Sequence, residues 1–325
     1  MWSLLLFFLI PFAHADFLPL DPELNNYDYP FPVKFEPVSI KDNAYKMAYM
    51  DVSPEGKAKG VIVLLHGKNF SGAYWERTAK DLLKQGYRVI MPDQIGFGKS
   101  SKPEAFPYTF HLLAELTQKL IESRKVKKYQ LLGHSMGGML ATRMALMYPE
   151  KVEKLLLVNP IGLEDWKVHV PYKNVNELYA SELKSNEDQI RNYQKQNYFD
   201  GKWKPEYEKN IEILVGWTKH KDYHRIAWNS ALTTEMIFSQ PVVYEFKNLK
   251  VPTLLLLGTR DRTAVGKGWA SSHIQEKLGR YDQLGKEVIK HIPQGKLVEL
   301  SGIGHMPQVE AYDSYWQNIF AFLQK

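Results

Sequence analysis

Ser135 stands at the centre of the run Leu132-Gly133-His134-Ser135-Met136-Gly137-Gly138, a G-x-S-x-G pattern. An apolar run, Tyr129-Gln130-Leu131-Leu132, precedes it, and helix-forming residues from Met139 to Leu146 follow. Between a strand and a helix this pattern makes a turn sharp enough to lift the serine hydroxyl above the sheet edge. Gly133 and Gly137 leave room for that turn. The same geometry aims the Met136 N–H and the start of the helix at negative charge developing on a substrate oxygen. The chemistry predicted is nucleophilic attack on a carbonyl by Ser135.

Such a serine needs a base, and the base needs a carboxylate to orient it. In strand–turn–helix sites of this kind the chain order is serine, acid, histidine. Val251-Pro252-Thr253-Leu254-Leu255-Leu256-Leu257-Gly258 reads as a buried strand, with Asp261 just past its end. Lys296-Leu297-Val298-Glu299-Leu300 reads as a second, shorter strand, and Ser301-Gly302-Ile303-Gly304 carries the chain to His305. Both residues therefore follow strand ends, where functional groups collect in open α/β sheets. Asp165 and Glu164, after an earlier strand, are the rival carboxylates. Upstream, Gly60 to Leu65 is a buried strand followed by His66-Gly67-Lys68-Asn69-Phe70. That loop can supply a second oxyanion donor. His66 and Asp93 are expected to be structural, and the His134 side chain to point away from Ser135.

The segments around His66, Asp93, Ser135, Asp261 and His305, in this order and spacing, resemble the α/β-hydrolase superfamily. Within it they resemble capped esterases, carbon–carbon bond hydrolases and enol-lactone hydrolases. The resemblance runs from about Lys46 to the C-terminus, apart from an interruption. It implies Ser135 as nucleophile, His305 as base, Asp261 as its orienter, and the backbone N–H groups of Lys68 and Met136 as the oxyanion hole. It implies no metal and no cofactor. A lysine at position 68 departs from the apolar or aromatic residue common there. Serine at the nucleophile position argues against the branches that use aspartate.

The interruption lies between Asn159 and Leu249, where the strand rhythm stops. Tyr, Trp, Lys, Asn and Glu dominate 164–248, which reads as a helical cap between two core segments, 46–163 and 249–325. Trp166, Tyr172, Tyr179, Tyr198, Trp203, Trp217, Tyr223 and Trp228 are candidates to line an apolar or aromatic substrate pocket. His220 and His224 are four residues apart, but no third ligand stands nearby, so a solvated helix face is expected rather than zinc. The basic run Arg124 to Lys128 reads as a solvated connection. No nucleic-acid module is visible.

The chain has 325 residues, a net charge of +6 and no cysteine. Leu4 to Ile10 is apolar and Ala13-His14-Ala15 fits an export cleavage site, so 1–15 is expected to be a signal peptide cut after Ala15. The apolar run is too short for a stable membrane span. An exported chain without cysteine points to a bacterial periplasm. The Pro- and Tyr-rich stretch 16–45 is expected to be an irregular arm along the surface.

The fold expected is α/β: a mostly parallel sheet with helices on both faces and a helical cap. The function expected is hydrolysis of a small apolar or aromatic carboxylic ester, lactone or thioester through an acyl-enzyme. The alternatives are carbon–carbon bond cleavage, peptidase, amidase or perhydrolase action on the same residues, or a binding protein on the same scaffold.

Overall fold

The computed structural model describes residues 17–325; the expected leader, 1–15, lies outside them. Eight strands form one sheet: β1 (Val33–Ile40), β2 (Asn43–Val52), β3 (Gly60–Leu65), β4 (Tyr87–Pro92), β5 (Tyr129–His134), β6 (Val152–Val158), β7 (Thr253–Gly258) and β8 (Gly295–Leu300). Their order is β1-β2-β4-β3-β5-β6-β7-β8. β1 and β2 form an antiparallel hairpin, β2 meets β4 antiparallel, and every other pairing is parallel.

The central strands are apolar on both sides because both faces of the sheet are covered. Val63, Leu65, Leu155, Leu157, Leu255 and Leu257 face one core, while Ile62, Leu64, Leu156, Leu254 and Leu256 face the other. Helices α1 (Glu76–Lys84), α2 (Phe110–Ser123) and α3 (Met136–Met147) precede the interruption. Leu113 and Leu120 of α2 and Met139, Leu140 and Met144 of α3 join the first core; Ala79 and Leu82 of α1 join the second. α2 starts where Thr109 Oγ1 accepts the Leu112 N–H, a cap on an otherwise unpaired donor.

Between β6 and β7 every element is helical: short 3-10 turns and α4 (Val175–Glu182), α5 (Glu187–Asn197), α6 (Glu212–Thr218) and α7 (Tyr223–Ser239). Asn174 and Glu177 cap α4 reciprocally, and Asn186 caps α5. After β7 come α8 (Ser272–Lys277), α9 (Tyr281–Val288), α10 (Pro307–Glu310) and α11 (Tyr312–Leu323). Tyr281 and Val288 of α9 seal the first core; Tyr315, Ile319 and Phe322 of α11 seal the second.

The expectation of an irregular arm over 16–45 needs correction in its second half, because Val33–Ile40 pairs along its whole length with Asn43–Val52. The prolines at 30, 32 and 37 suggested irregularity. Pro37 is tolerated because β1 is the outermost strand, where a missing N–H can face away from the ladder. The first half does lack regular structure, but it packs on the cap as well as the core. Leu24 is fully buried with Trp217 and Ile226, Trp217 Nε1 donates to the Asp21 carbonyl at 3.1 Å, and Arg225 pairs with Glu23 at 2.6 Å.

β4 leads into a compact loop organised around buried Asp93. Its Oδ1 accepts the Gly72 N–H at 2.6 Å, and its Oδ2 accepts Tyr29 OH at 2.7 Å and the Lys99 N–H at 2.8 Å. Lys102 closes the loop with its ammonium buried, donating to the carbonyls of Gly98 and Ser100. Burial pushes its pKa down to about 7, with Asp93 opposing the shift. Between pH 7 and 9 the unfolded chain holds this proton and the folded chain releases it, so rising pH favours folding. Wild type should therefore gain up to about 2 kcal/mol of stability relative to Lys102→Met over that interval. Urea titrations of both proteins at pH 7 and 9 check this; an unchanged difference would refute it.

Candidate active site

The strand order reverses between β3 and β5, whose carboxyl ends carry the His66–Phe70 loop and Ser135; Asp261 and His305 follow β7 and β8. Crevices at such reversal points are where open α/β sheets bind ligands. At the end of β5, Ser135 has φ 55° and ψ −123°, a region that non-glycine residues rarely occupy. Its N–H donates to the Val158 carbonyl, and its own carbonyl accepts the N–H groups of Gly138 and Ile161. Gly133 and Gly137 are required by close approach. A Cβ on Gly133 would overlap the Gly137 carbonyl, and one on Gly137 would overlap the carbonyls of Leu65 and His66. Met136 is the first residue of α3, so its N–H belongs to the unpaired first turn of that helix.

At the end of β3, the Phe70 N–H donates to the Gly67 carbonyl at 3.1 Å. This closes a turn with Lys68 and Asn69 at its centre, and the Lys68 N–H takes no part in the closing bond. His66 holds the loop from below. Its Nε2 accepts the Gln94 N–H at 3.0 Å, which leaves Nδ1 protonated to donate to the Gly67 carbonyl at 2.8 Å. Burial lowers its pKa. The expected structural roles of His66 and Asp93 match these contacts.

Asp261 and His305 meet. Asp261 Oδ2 accepts from His305 Nδ1 at 2.6 Å, and both side chains are fully buried. Asp261 Oδ2 also accepts Asn159 Nδ2 at 2.8 Å, and Oδ1 accepts the Thr263 N–H at 2.8 Å. Burial would raise this carboxyl's pKa; the His305 charge and the three hydrogen bonds outweigh it and hold the pKa below the ordinary value. The carboxylate thus stays ionised, and its bond to Nδ1 leaves Nε2 as the free face of the imidazole. Among the described residues His305 Nε2 has no hydrogen-bond partner, so the Ser135–His305 bond is open in this conformation. Such contacts close on substrate binding in many apo enzymes.

The rival carboxylates are engaged elsewhere. Glu164 accepts Trp166 Nε1 and the Gly279 N–H. Asp165 accepts the Lys167 N–H and Tyr244 OH. The residue after β6 that does reach the pair is Asn159, which sequence reasoning missed. Its Oδ1 also accepts the Gly258 N–H at 2.9 Å, so one carboxamide ties β6 to β7 and orients Asp261. An asparagine–proline pair ending an apolar strand was the available signal. His134 was also undervalued. Its Nε2 donates to the His305 carbonyl at 2.9 Å and its Nδ1 accepts Tyr74 OH at 3.1 Å. Burial, with the His305 charge adding to it, lowers its pKa to about 3, so it stays a neutral prop for the His305 loop.

The cap closes over this site. The Tyr198 ring lies 4.6 Å from that of His305, tilted by 32°, and the Tyr198 carbonyl sits where a Cβ on Gly304 would be. A cavity of about 690 Å³ opens between cap and core, from Lys68 and Asn69 across α4–α7 to the loop after Asp261. Its lining is mixed: Trp217, Tyr223, Tyr193 and Trp269 supply the expected aromatic surface, while Lys68, Asn69, Glu182, Ser230, Arg262 and Lys267 add polar and charged groups. Other cap aromatics are used in packing: Trp166 is buried in the first core, Tyr179 packs edge-on against Trp228, and Tyr172 is exposed. His220 Nδ1 accepts the Asp222 N–H at 3.2 Å.

The profile of the α/β-hydrolase fold matches residues 60–312. The chain belongs to the α/β-hydrolase family. Lipase 1 of Psychrobacter immobilis is 26% identical over 285 residues, covering 85% of this chain and 80% of that one. Lipase 3 of Moraxella sp. (strain TA144) is 28% identical, covering 77% of this chain and 73% of its own. Among solved structures, a probable hydrolytic enzyme of Pseudomonas aeruginosa PAO1 superposes with a TM-score of 0.93 at 45% identity, covering 95% of this chain and 99% of that one. The enol-lactonase of Burkholderia xenovorans LB400 shares the fold, with a TM-score of 0.64 at 19% identity over 89% of this chain and all of its own. The α/β-hydrolase elbow yields a stability prediction. Gly137→Ala should cost ~3 kcal/mol in urea unfolding because the added methyl meets backbone that cannot move aside. Gly268→Ala, with open space around its Cβ, should stay within about 0.5 kcal/mol of wild type.

Proposed function

We propose that this α/β hydrolase cleaves a carboxylic ester of a small molecule through an acyl-enzyme on Ser135. The observation that carries the reading is the buried Asp261–His305 pair together with a serine held in a strained turn at the head of α3, whose neighbour His134 bonds the His305 carbonyl. The lipase-named relatives favour esters over the carbon–carbon and amide alternatives.

The chemistry follows from the atoms present. His305 Nε2 takes the Ser135 Oγ proton as the Oγ–carbonyl carbon bond forms. The resulting oxyanion is met by the N–H groups of Met136 and Lys68. The imidazolium is stabilised by ionised Asp261 and gives its proton to the departing alkoxide as the C–O bond breaks. Water, deprotonated by the same Nε2, then attacks the acyl-enzyme, and the proton returns to Ser135 Oγ as the acid leaves.

A fluorophosphonate probe should label the wild-type protein, and Ser135→Ala should abolish both labelling and hydrolysis of p-nitrophenyl esters. Equal labelling of the variant would refute the assignment; an unlabelled wild type without turnover would favour a binding protein. Asp261→Asn should lower kcat by roughly 10²–10⁴, the cost of losing control of the histidine tautomer. Thioester, lactone, amide and carbon–carbon substrates assayed beside the esters separate the alternatives.

Export belongs to the same reading. It is supported by the apolar run Leu4 to Ile10 and by Ala13-His14-Ala15. Expressed in a Gram-negative host, the protein should be recovered from the periplasm with Asp16 as its first residue; intact Met1 in the cytosol would count against it.

A further inference from the structure

The lysine at position 68, unexpected in the oxyanion loop, points its side chain into the cap–core cavity. Its Nζ donates to Ser230 Oγ of α7 at 2.6 Å and lies 3.5 Å from Glu182 of α4. The side chain is 19% exposed, so the ammonium is largely removed from water and depends on polar partners. Four charged residues line the cavity: Lys68, Arg262 and Lys267 against Glu182. Arg262 is engaged by Asp282 at 3.0 Å, and Lys267 Nζ by the Leu278 carbonyl at 3.2 Å. The cavity is therefore an electropositive chamber whose cation next to the reacting site is Lys68.

Its resident counter-ion is loosely held. Glu182 is the last residue of α4, where the negative end of the helix dipole disfavours a carboxylate. The contact with Lys68 is longer than a charge-assisted hydrogen bond, which lies near 2.8 Å. A substrate carboxylate at hydrogen-bond distance would be a better partner for the same ammonium.

We propose that Lys68 is a substrate-anion receptor, and that the cavity takes a short ester carrying a carboxylate a few bonds from the reacting carbonyl. This rests on the ester-hydrolase reading and adds the substrate class. Glu182 occupies the ammonium at rest and gives it up when the anion arrives. Lys68 thus couples two events on one residue: its side chain registers the substrate anion while its N–H stands at the oxyanion position.

The test uses two matched pairs of esters followed by pH-stat. Monomethyl glutarate and methyl 5-oxohexanoate differ only in a carboxylate against an acetyl group on the acyl half. 4-Acetoxybutanoate and 5-acetoxypentan-2-one differ likewise on the alcohol half. In at least one pair, kcat/KM for the anionic ester should exceed that for the neutral one about tenfold, and the ratio should fall as salt rises. Lys68→Met should bring the ratio towards one, Lys68→Arg should keep it, and Glu182→Gln should raise it. If Lys68 only tethered the cap, the Met and Gln variants would depress both members of a pair alike.

Equal rates within both pairs, or preference for the neutral esters, would overturn the anion receptor and leave the ester reading standing. If no ester is cleaved, the ester reading fails by itself. Calorimetric titration of wild type and Lys68→Met with glutarate then decides: binding that depends on Lys68 supports the receptor, and no binding overturns it.

Discussion

The backbone of Ser135 is the constraint on which the site depends. A serine at φ 55° and ψ −123° costs about 1–3 kcal/mol and persists only where its surroundings enforce it. They do so through the end of β6, the first turn of α3 and the segment after β6, which hold the serine by three backbone hydrogen bonds. The absent side chains at 133 and 137 are part of the same device, because they let the first turn of α3 press on β5 and on the end of β3. The loop after β3 is thereby brought to the serine by the sheet itself, with Gly67 packed against the Ser135 side chain.

The second half of the site is a problem of buried charge. An isolated carboxylate as deep as Asp261 would take up a proton. Asn159, the Thr263 N–H and His305 prevent that, and the same three contacts set its direction. Two further histidines, His66 and His134, act as neutral braces with fixed tautomers, one beneath the loop after β3 and one beneath the His305 loop. Hydrogen-bonded neighbours thus hold the Asp261–His305 pair while His305 Nε2 is left without a partner.

The core, the turn at Ser135 and the meeting of Asp261 with His305 were legible because their signals are local. The turn at Ser135 is encoded by glycines two residues away on either side, and buried parallel strands read as unbroken runs of leucine and valine. Asp261 and His305 could be named because each follows such a run. What escaped was set by tertiary contact. Asn159 acquires its role only when β6 lies beside β7. β1 is a strand despite Pro37 because it is outermost and paired with β2. Which cap side chains line the cavity could not be read from composition. Where Trp166, Tyr179 and Trp228 point depends on how seven helical segments stack, and most of those rings turn into packing. The side chain of Lys68 was equally undetermined, since its partners Ser230 and Glu182 come from two helices far along the chain.

The arm preceding β1 carries a consequence for how the molecule is assembled. Tyr27 bonds Glu212 across 185 residues, and Glu23 bonds Arg225 across 202. During synthesis the arm emerges first, yet its docking surface on α6 and α7 does not exist until about two-thirds of the chain has followed. Contacts so distant in sequence form late and slowly, because a long loop must close before they are rewarded. Until α6 and α7 exist, Leu24 and its neighbours Leu20 and Tyr27 have no cap surface to cover them.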